Sequence, residues 1–206
     1  MATARGKLIV IEGIDGSGKT TQEERIAADL SREKLDFVLT KQPTDWYRNN
    51  PIVRRYLDKG SSDCRIETIG LVAAADRMLH IDTFIEPALA SGTHVICNRY
   101  VYSTYAYFEA RGADSAFIAA VNSRVPVPDC GILLQIDPSA TVQRIRDRDG
   151  DSLKFEERDS GYLAIVQEHL LRNWPDSFCV ADGSLPVEDV YATIRRYLVN
   201  NNVLPG

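Results

Sequence analysis

The chain has 206 residues, 44% of them hydrophobic, which is enough for one domain with a sizeable core. Its net charge of −5, with basic residues interspersed among acidic ones, argues against nucleic acid as the main partner. No apolar run approaches the ~18 residues of a membrane span, and no Cys-x-x-Cys pair indicates a zinc site. We therefore expect one cytoplasmic domain over residues 1–206 with no membrane partner.

A phosphate-binding motif follows the first strand-like run of the chain. Residues 13–20 match the pattern Gly-x-x-x-x-Gly-Lys-Thr, between a β-branched run at 7–11 and a run of helix formers at 20–30. In such a loop the backbone amides and the positive end of the helix dipole face a phosphate. Lys19 is placed to reach the β- and γ-phosphates, and the Thr20 hydroxyl to ligate Mg²⁺. The predicted ATP-binding residues are Gly13, Asp15, Gly16, Ser17, Gly18, Lys19, Thr20 and Thr21.

Short apolar runs alternate with helical patterns along the rest of the chain. The predicted strands are 8–11, 37–40, 94–97, 131–136 and 177–180, and the predicted helices are 19–34, 66–90, 138–147, 155–172 and 187–199. This alternation predicts an α/β fold, the P-loop NTPase three-layer α/β/α sandwich with a central five-stranded parallel sheet. Right-handed crossovers then place the phosphate loop at the carboxyl edge of the sheet, where ligands bind.

A strongly charged segment lies between two of the predicted helices. Residues 144–157 interleave basic with acidic side chains around Gly150. This pattern is typical of a mobile helical hairpin tip, and we expect a small helical lid at about 146–156.

A phosphate loop alone is compatible with motors, GTPases and kinases. The Asn-Lys-x-Asp motif by which GTPases read guanine is missing from the sequence. Arg99 lies just past the predicted strand 94–97, where a side chain faces the ligand crevice, and Arg77 lies on a predicted helix. Cations at these places and an arginine-rich lid are what a phosphotransferase for a small acceptor needs.

Several motifs together resemble those of thymidylate kinases over essentially the whole chain. They are the run 11–22 around the loop, Thr40-Lys41-Gln42-Pro43, Ala74-Ala75-Asp76-Arg77, 86–92, Arg99-Tyr100-x-x-Ser103-x-x-Ala106-Tyr107 and Ala181-Asp182-Gly183-Ser184. The resemblance implies transfer of the ATP γ-phosphoryl group to thymidine monophosphate, a step of dTTP synthesis, with Mg²⁺ as cofactor. It also implies a homodimer formed through helices of the kind at 66–90.

The resemblance further implies roles for individual residues. The implied catalytic residues are Lys19, Asp15, Arg99, Arg146 and Arg148. The implied acceptor-binding residues are Asp15, Ala73, Arg77, Arg99, Ser103 and Tyr107, with Arg99 on the acceptor phosphate and Arg77 on the pyrimidine. The implied metal ligands are Thr20 and Asn98. Some members have a basic residue where this chain has Gly16, so here the lid is expected to supply the catalytic arginine, either Arg148 or Arg146.

Three positions depart from the family's pattern. Asn98 and Gln42 replace carboxylates, and Ala73 replaces a phenylalanine one turn before Arg77. An aromatic ring there stacks on the base, and such stacking is worth ~1–3 kcal/mol. Two alternatives therefore stay open: a kinase for another or a modified deoxynucleoside monophosphate, and a nucleotide-binding relative with weakened catalysis.

Overall fold

The computed structural model describes residues 4–59, 64–149 and 160–206, without the side chains at 58, 59, 143 and 146–149. Its centre is a sheet of five parallel strands in the order β2-β3-β1-β4-β5. The strands are β1 (Leu8–Glu12), β2 (Phe37–Lys41), β3 (His94–Asn98), β4 (Cys130–Gln135) and β5 (Cys179–Asp182). The predicted five-stranded parallel sheet is confirmed.

The helices differ from the sequence prediction more than the strands do. They are α1 (Lys19–Arg32), α2 (Asp45–Asn49), α3 (Pro51–Lys59), α4 (Ile66–His80), α5 (Glu86–Ala90), α6 (Val101–Glu109), α7 (Ser115–Val121), α8 (Pro138–Asp149), α9 (Ser160–Arg172) and α10 (Val187–Asn200). A π-helical segment, Ile81–Ile85, joins α4 to α5, so the predicted helix 66–90 is three successive helical pieces. Helices α2, α3, α6 and α7 were missed. In α6 the reason is composition, since its aromatic residues have modest helix propensity and burial decides their conformation.

Both faces of the sheet are covered by helices. All five residues of β1 are buried, and the first four alternate between two hydrophobic clusters. Leu8 and Val10 pack in a cluster with residues of α5, α6 and α9, whereas Ile9 and Ile11 pack in a cluster with residues of α1 and α10. This arrangement confirms the three-layer α/β/α sandwich.

A third group of buried residues, which we call the helical cluster, joins α2, α3, α4, α6 and α7. Its members are Tyr47, Val53, Tyr56, Ile69, Ala73, Phe108, Ala113 and Ile118. The helical cluster draws on segments that the sequence pattern had left between predicted elements. It fixes α4, and therefore Arg77 one turn after Ala73, relative to α6.

The parallel strands bring distant residues to one edge of the sheet. Gly13 follows β1, Gln42 follows β2, Arg99 follows β3 and Gly183 follows β5. In the described part of the chain, no helix is long and apolar enough to cross a membrane.

Candidate active site

The phosphate loop is held open by glycine conformations. Gly13, Gly16 and Gly18 have φ values of 145°, 78° and 96°, in the region that side chains strongly disfavour. Gly18 is the N-cap of α1, where no side chain caps the helix and no acidic residue lies in its first turn. The start of α1 therefore keeps its amides and its positive dipole end for an external anion.

Lys19 lies folded over this loop. Its Nζ donates to the carbonyl oxygens of Gly13 at 3.0 Å and Ile14 at 2.9 Å, and the side chain is largely buried. Asp15 Oδ1 lies 4.0 Å from the same nitrogen. The ammonium group is thus positioned at the mouth of the loop, where phosphate oxygens can replace the carbonyl contacts.

The first turns of α8 rest on Gly16. A Cβ at this position would lie 2.9 Å from the Thr141 carbonyl oxygen and 3.1 Å from a side-chain carbon of Ile145. A longer side chain cannot be accommodated at this position while α8 keeps its place. Gly16 therefore links the loop to the helix that leads toward the predicted lid.

Arg99 lies at the centre of the site. Its guanidinium donates to Asp15 Oδ1 at 2.8 Å, Ser103 Oγ at 2.9 Å and Tyr107 Oη at 3.2 Å. Burial alone would lower the pKa of Arg99, but the Asp15 carboxylate, Tyr107 and Glu12 more than offset it and raise the pKa above its ordinary value. The structure thus brings together four of the predicted residues, Asp15, Arg99, Ser103 and Tyr107, around one permanent positive charge.

Glu12 supports this arrangement from beneath and was missed by the sequence analysis. Its carboxylate is fully buried and accepts from the Tyr100 amide at 2.8 Å, the Ser103 amide at 3.0 Å and Ser103 Oγ at 2.5 Å. A carboxylate on the first amides of α6 stabilises the helix start and sets the orientation of Ser103. Its position as the last residue of β1, directly before the loop, was the available signal.

Arg77 is buried and makes contact with neutral groups. It donates to Gln42 Oε1, to Thr104 Oγ1 and, at 3.3 Å, to Asn122 Oδ1, and its guanidinium lies 5.7 Å from the centroid of the Tyr100 ring. Burial lowers the pKa of Arg77. Gln42 in turn meets His80 Nδ1 at 3.1 Å. Gln42, one of the three residues that depart from the family pattern, therefore orients Arg77 together with Thr104 and Asn122.

Ala73 lies one turn from Arg77 and is buried in the helical cluster, at 4% exposure. Tyr47, Tyr56 and Phe108 belong to the same cluster. Aromatic side chains from α2, α3 and α6 therefore surround this region of α4. Whether Ala73 also leaves room beside an acceptor base stays a prediction.

A cavity of about 1050 Å³ opens over the phosphate loop. Its wall includes all of Asp15–Thr21, the ends of β2 and β3 with Gln42, Asn98 and Arg99, and the segment after β5. Ala73, Arg77, Ser103 and Tyr107 do not line it. At the far end, Leu185, Val187 and Val190 supply apolar surface, and Arg144 donates to the Gly183 carbonyl at 3.3 Å. Leu185, Val187 and Val190 were also missed, because none of them belongs to a short motif.

Asn98 does not stand alone at the end of β3. Its Nδ2 donates to Glu23 Oε2 at 2.8 Å, and both residues line the cavity with Thr20. Burial raises the pKa of Glu23, while the hydrogen bond from Asn98 opposes that change. Glu23 had no part in the sequence prediction.

The structure describes only part of the predicted lid. Helix α8 reaches Asp149, but the side chains of Arg146 and Arg148 and the segment 150–156 lie outside the described residues. The role of either arginine stays a prediction.

Comparison with known proteins places this chain in a family. A sequence model described as thymidylate kinase matches residues 11–194. The chain belongs to the thymidylate kinase family.

Three relatives each carry the description "probable thymidylate kinase". The protein from Methanococcus aeolicus is 33% identical over 204 residues, which cover 96% of this chain and 98% of the relative. That from Thermococcus onnurineus is 40% identical over 196 residues, 90% and 94% of the two chains. That from Pyrococcus horikoshii is 43% identical over 145 residues, 69% and 71%.

Membership of the thymidylate kinase family establishes the enzyme class. The chain is a nucleoside monophosphate kinase, a transferase whose substrates are nucleotides. The resemblance found in the sequence is confirmed, and the alternative of a different P-loop class, such as a GTPase, is excluded.

Proposed function

We propose that the enzyme transfers the γ-phosphoryl group of ATP to dTMP, giving dTDP for dTTP synthesis, with Mg²⁺ as cofactor. The observation that carries this proposal is the position of Arg99 at the edge of the phosphate loop, bonded to Asp15. A fixed cation beside the loop that binds the donor is suited to an acceptor that carries its own phosphate.

The chemistry needs positioning and charge neutralisation more than proton transfer. The attacking oxygen belongs to a phosphate, so no strong general base is required. Lys19 and the loop amides hold the donor phosphates, while Arg99 fixes the acceptor phosphate in line with them. Ser103 and Tyr107 keep the guanidinium in place. When bound, Mg²⁺ neutralises charge on the donor phosphate oxygens.

The residues present fit the phosphate and the cation. An uncapped helix start, glycine geometry at the loop and the ammonium of Lys19 suit an anion. Thr20 and Asn98 offer hydroxyl and amide oxygens at the wall of the same cavity, and Mg²⁺ is bound by oxygen ligands.

Two further parts of the proposal concern assembly and location. Leu71 and Leu79 on α4 and Phe84 in the π-helical segment are all more than a third exposed. We propose a homodimer through this face, with light scattering across a dilution series as its test. The cytoplasmic location and the lack of a nucleic-acid partner stay predictions.

The enzymatic test is ADP release, coupled to a reporter, with ATP, Mg²⁺ and a panel of nucleoside monophosphates. We expect turnover that requires an acceptor and is fastest with dTMP. Equal ATP consumption without an acceptor would contradict the proposal. Faster turnover of another deoxynucleotide would favour the second candidate, which Gln42 and Ala73 motivate. Nucleotide binding without turnover would favour the weakened relative, which Asn98 and Gln42 motivate.

A further inference from the structure

Glu23 is a buried carboxylate that the proposed reaction has not yet used. It lies one turn after Thr20 on α1, is 9% exposed, and lines the cavity over the phosphate loop. Residues three apart on a helix are neighbours on its surface, with Cβ atoms about 5–6 Å apart. Glu23 is therefore next to the hydroxyl that the loop motif assigns to a divalent cation.

The neighbours of Glu23 compensate its charge only in part. Its Oε2 accepts from Asn98 Nδ2 at 2.8 Å, and it forms no ion pair with any residue the structure describes. A buried carboxylate is costly unless an opposite charge or a metal balances it. The Asn98 amide is neutral, and Lys19, one turn earlier on α1, offsets only part of the cost of burial, so a bound cation would stabilise the carboxylate further.

The other acidic group of the cavity is already balanced. Among the described residues, Asp15 and Glu23 are the two carboxylates in the cavity wall. Asp15 Oδ1 lies 2.8 Å from the Arg99 guanidinium and 4.0 Å from Lys19 Nζ. Glu23 is thus the carboxylate that remains to neutralise a bound cation.

The end of the strand next to β1, where P-loop enzymes commonly have a metal-binding carboxylate, has no charged side chain here. P-loop enzymes commonly hold Mg²⁺ with the loop hydroxyl and a carboxylate from a neighbouring strand. At the end of β3, beside β1, this chain has Asn98. Since the Asn98 nitrogen is directed to Glu23, the hydrogen bond also fixes the orientation of the Glu23 carboxylate.

We propose that Glu23, oriented by Asn98, supplies the negative charge of the divalent-cation site, which is therefore carried by helix α1 instead of the end of β3. The inference rests on the proposed function, because it takes ATP and Mg²⁺ as the ligands of the loop. It assigns Asn98 the role of a positioning residue.

The test measures metal binding without turnover. Mn²⁺ is titrated into the complex of the enzyme with ADP, and free Mn²⁺ is followed by electron paramagnetic resonance. Glu23→Gln should weaken Mn²⁺ binding about tenfold or more. Glu24→Gln removes the same charge from the exposed neighbouring residue and should leave the affinity within about twofold. Glu23→Gln with Asn98→Asp returns one carboxylate to the site and should recover most of the lost affinity.

A second measurement covers the case in which Glu23→Gln fails to fold. Asn98→Asp alone puts two carboxylates in contact, so its Tm should fall without metal and should rise more with Mn²⁺ than that of the wild type. Unchanged Mn²⁺ affinity in folded Glu23→Gln, or an ordinary Mn²⁺ response of Asn98→Asp, overturns the inference. Wild-type enzyme that phosphorylates no nucleoside monophosphate overturns the proposed function instead.

Discussion

The predicted donor side and the predicted acceptor side of the site are built by different means. The donor side, residues 13–20, is one continuous loop whose shape follows from glycine conformations and the start of a helix. The predicted acceptor side is Arg77 with its partners Gln42, Thr104 and Asn122, which come from four separate segments. Backbone chemistry therefore specifies the first, whereas tertiary packing specifies the second.

This difference predicts different consequences of mutation. A charge held by a local loop can be removed with little effect on the fold. A charge held by buried polar groups from distant segments cannot, since its removal leaves those groups unpaired.

The largest effect is expected for Lys19→Ala. Turnover should fall by more than about 10³-fold, because no other cation of the loop itself can neutralise the phosphate oxygens. The free energy of unfolding should change by less than ~1 kcal/mol, since the hydrogen bonds of the Lys19 ammonium go to loop carbonyls at the wall of the cavity. Lys41→Ala is the control, because Lys41 lines the same cavity but is exposed. Coupled ADP release and urea unfolding check both parts, and substantial turnover of Lys19→Ala would contradict the assignment.

The second-largest effect is expected for the two arginines of the predicted lid, Arg146 and Arg148. Gly16 leaves no cation in the middle of the loop, so we expect Arg148→Ala or Arg146→Ala to lower kcat by ~10³-fold. ATP affinity should barely change, because the contact forms only as the phosphoryl group is transferred. Single-turnover kinetics together with ATP titration separate the two quantities. Near-normal kcat in both single variants and in the double variant would show that the loop needs no arginine from this segment.

Arg77→Met tests the acceptor side. The KM for dTMP should rise ~10- to 150-fold, which corresponds to one charged hydrogen bond of ~1.5–3 kcal/mol, while the KM for ATP stays unchanged. Unlike Lys19→Ala, this variant should also lose stability by ~2 kcal/mol or more, because Gln42, Thr104 and Asn122 lose a buried donor. Arg48→Met is the control, since Arg48 is half-buried and donates to one backbone carbonyl. Unchanged stability of Arg77→Met would remove the distinction between the two sides.

The same distinction explains what could be predicted from the sequence. The strands and the phosphate loop were predicted because their signals, apolar runs and spaced glycines, are local. Arg99 was predicted because it follows a strand directly. The partners of Arg77 could not be predicted, because Gln42 and Asn122 lie 35 and 45 residues away from it in the chain.

The missed helices have the same origin. Helices α2, α3 and α7 are short, with five, nine and seven residues, and isolated segments of that length are not stable helices. They form because Tyr47, Val53 and Ile118 become buried together in the helical cluster. No sequence window contains that information, since it depends on which segments meet.

Gly16 is the point where the phosphate loop contacts another element, helix α8. Gly16→Ala and Gly18→Ala both place a side chain at positive φ, at ~1–2 kcal/mol each. At Gly18 the new methyl group meets open space, but at Gly16 it lies 2.9 Å from the Thr141 carbonyl. We expect Gly16→Ala to be less stable than Gly18→Ala by a further ~1–2 kcal/mol. Urea unfolding without nucleotide measures the difference, and equal stabilities would mean that α8 moves freely away from the loop.

The smallest effect is expected at Ala73, where the acceptor side meets the helical cluster. A phenylalanine there would bring an aromatic ring close to the base, but it also enters a region already occupied by Tyr47, Tyr56 and Phe108. We therefore expect Ala73→Phe to lower the KM for dTMP by only about fivefold, the lower end of base stacking, and to suppress turnover of purine deoxynucleotides. Overpacking should at the same time lower the free energy of unfolding by ~1–3 kcal/mol.

Ala73→Leu separates the aromatic face from the added volume. It should share the loss of stability, because it fills the same space, without the gain in dTMP binding or base selectivity. Steady-state kinetics over a panel of bases and urea unfolding of both variants give the comparison. If the leucine and phenylalanine variants have the same KM for dTMP and the same base preference, Ala73 contributes only to helix packing. The base would then be recognised by residues of α6, where Thr104 already accepts a hydrogen bond from Arg77.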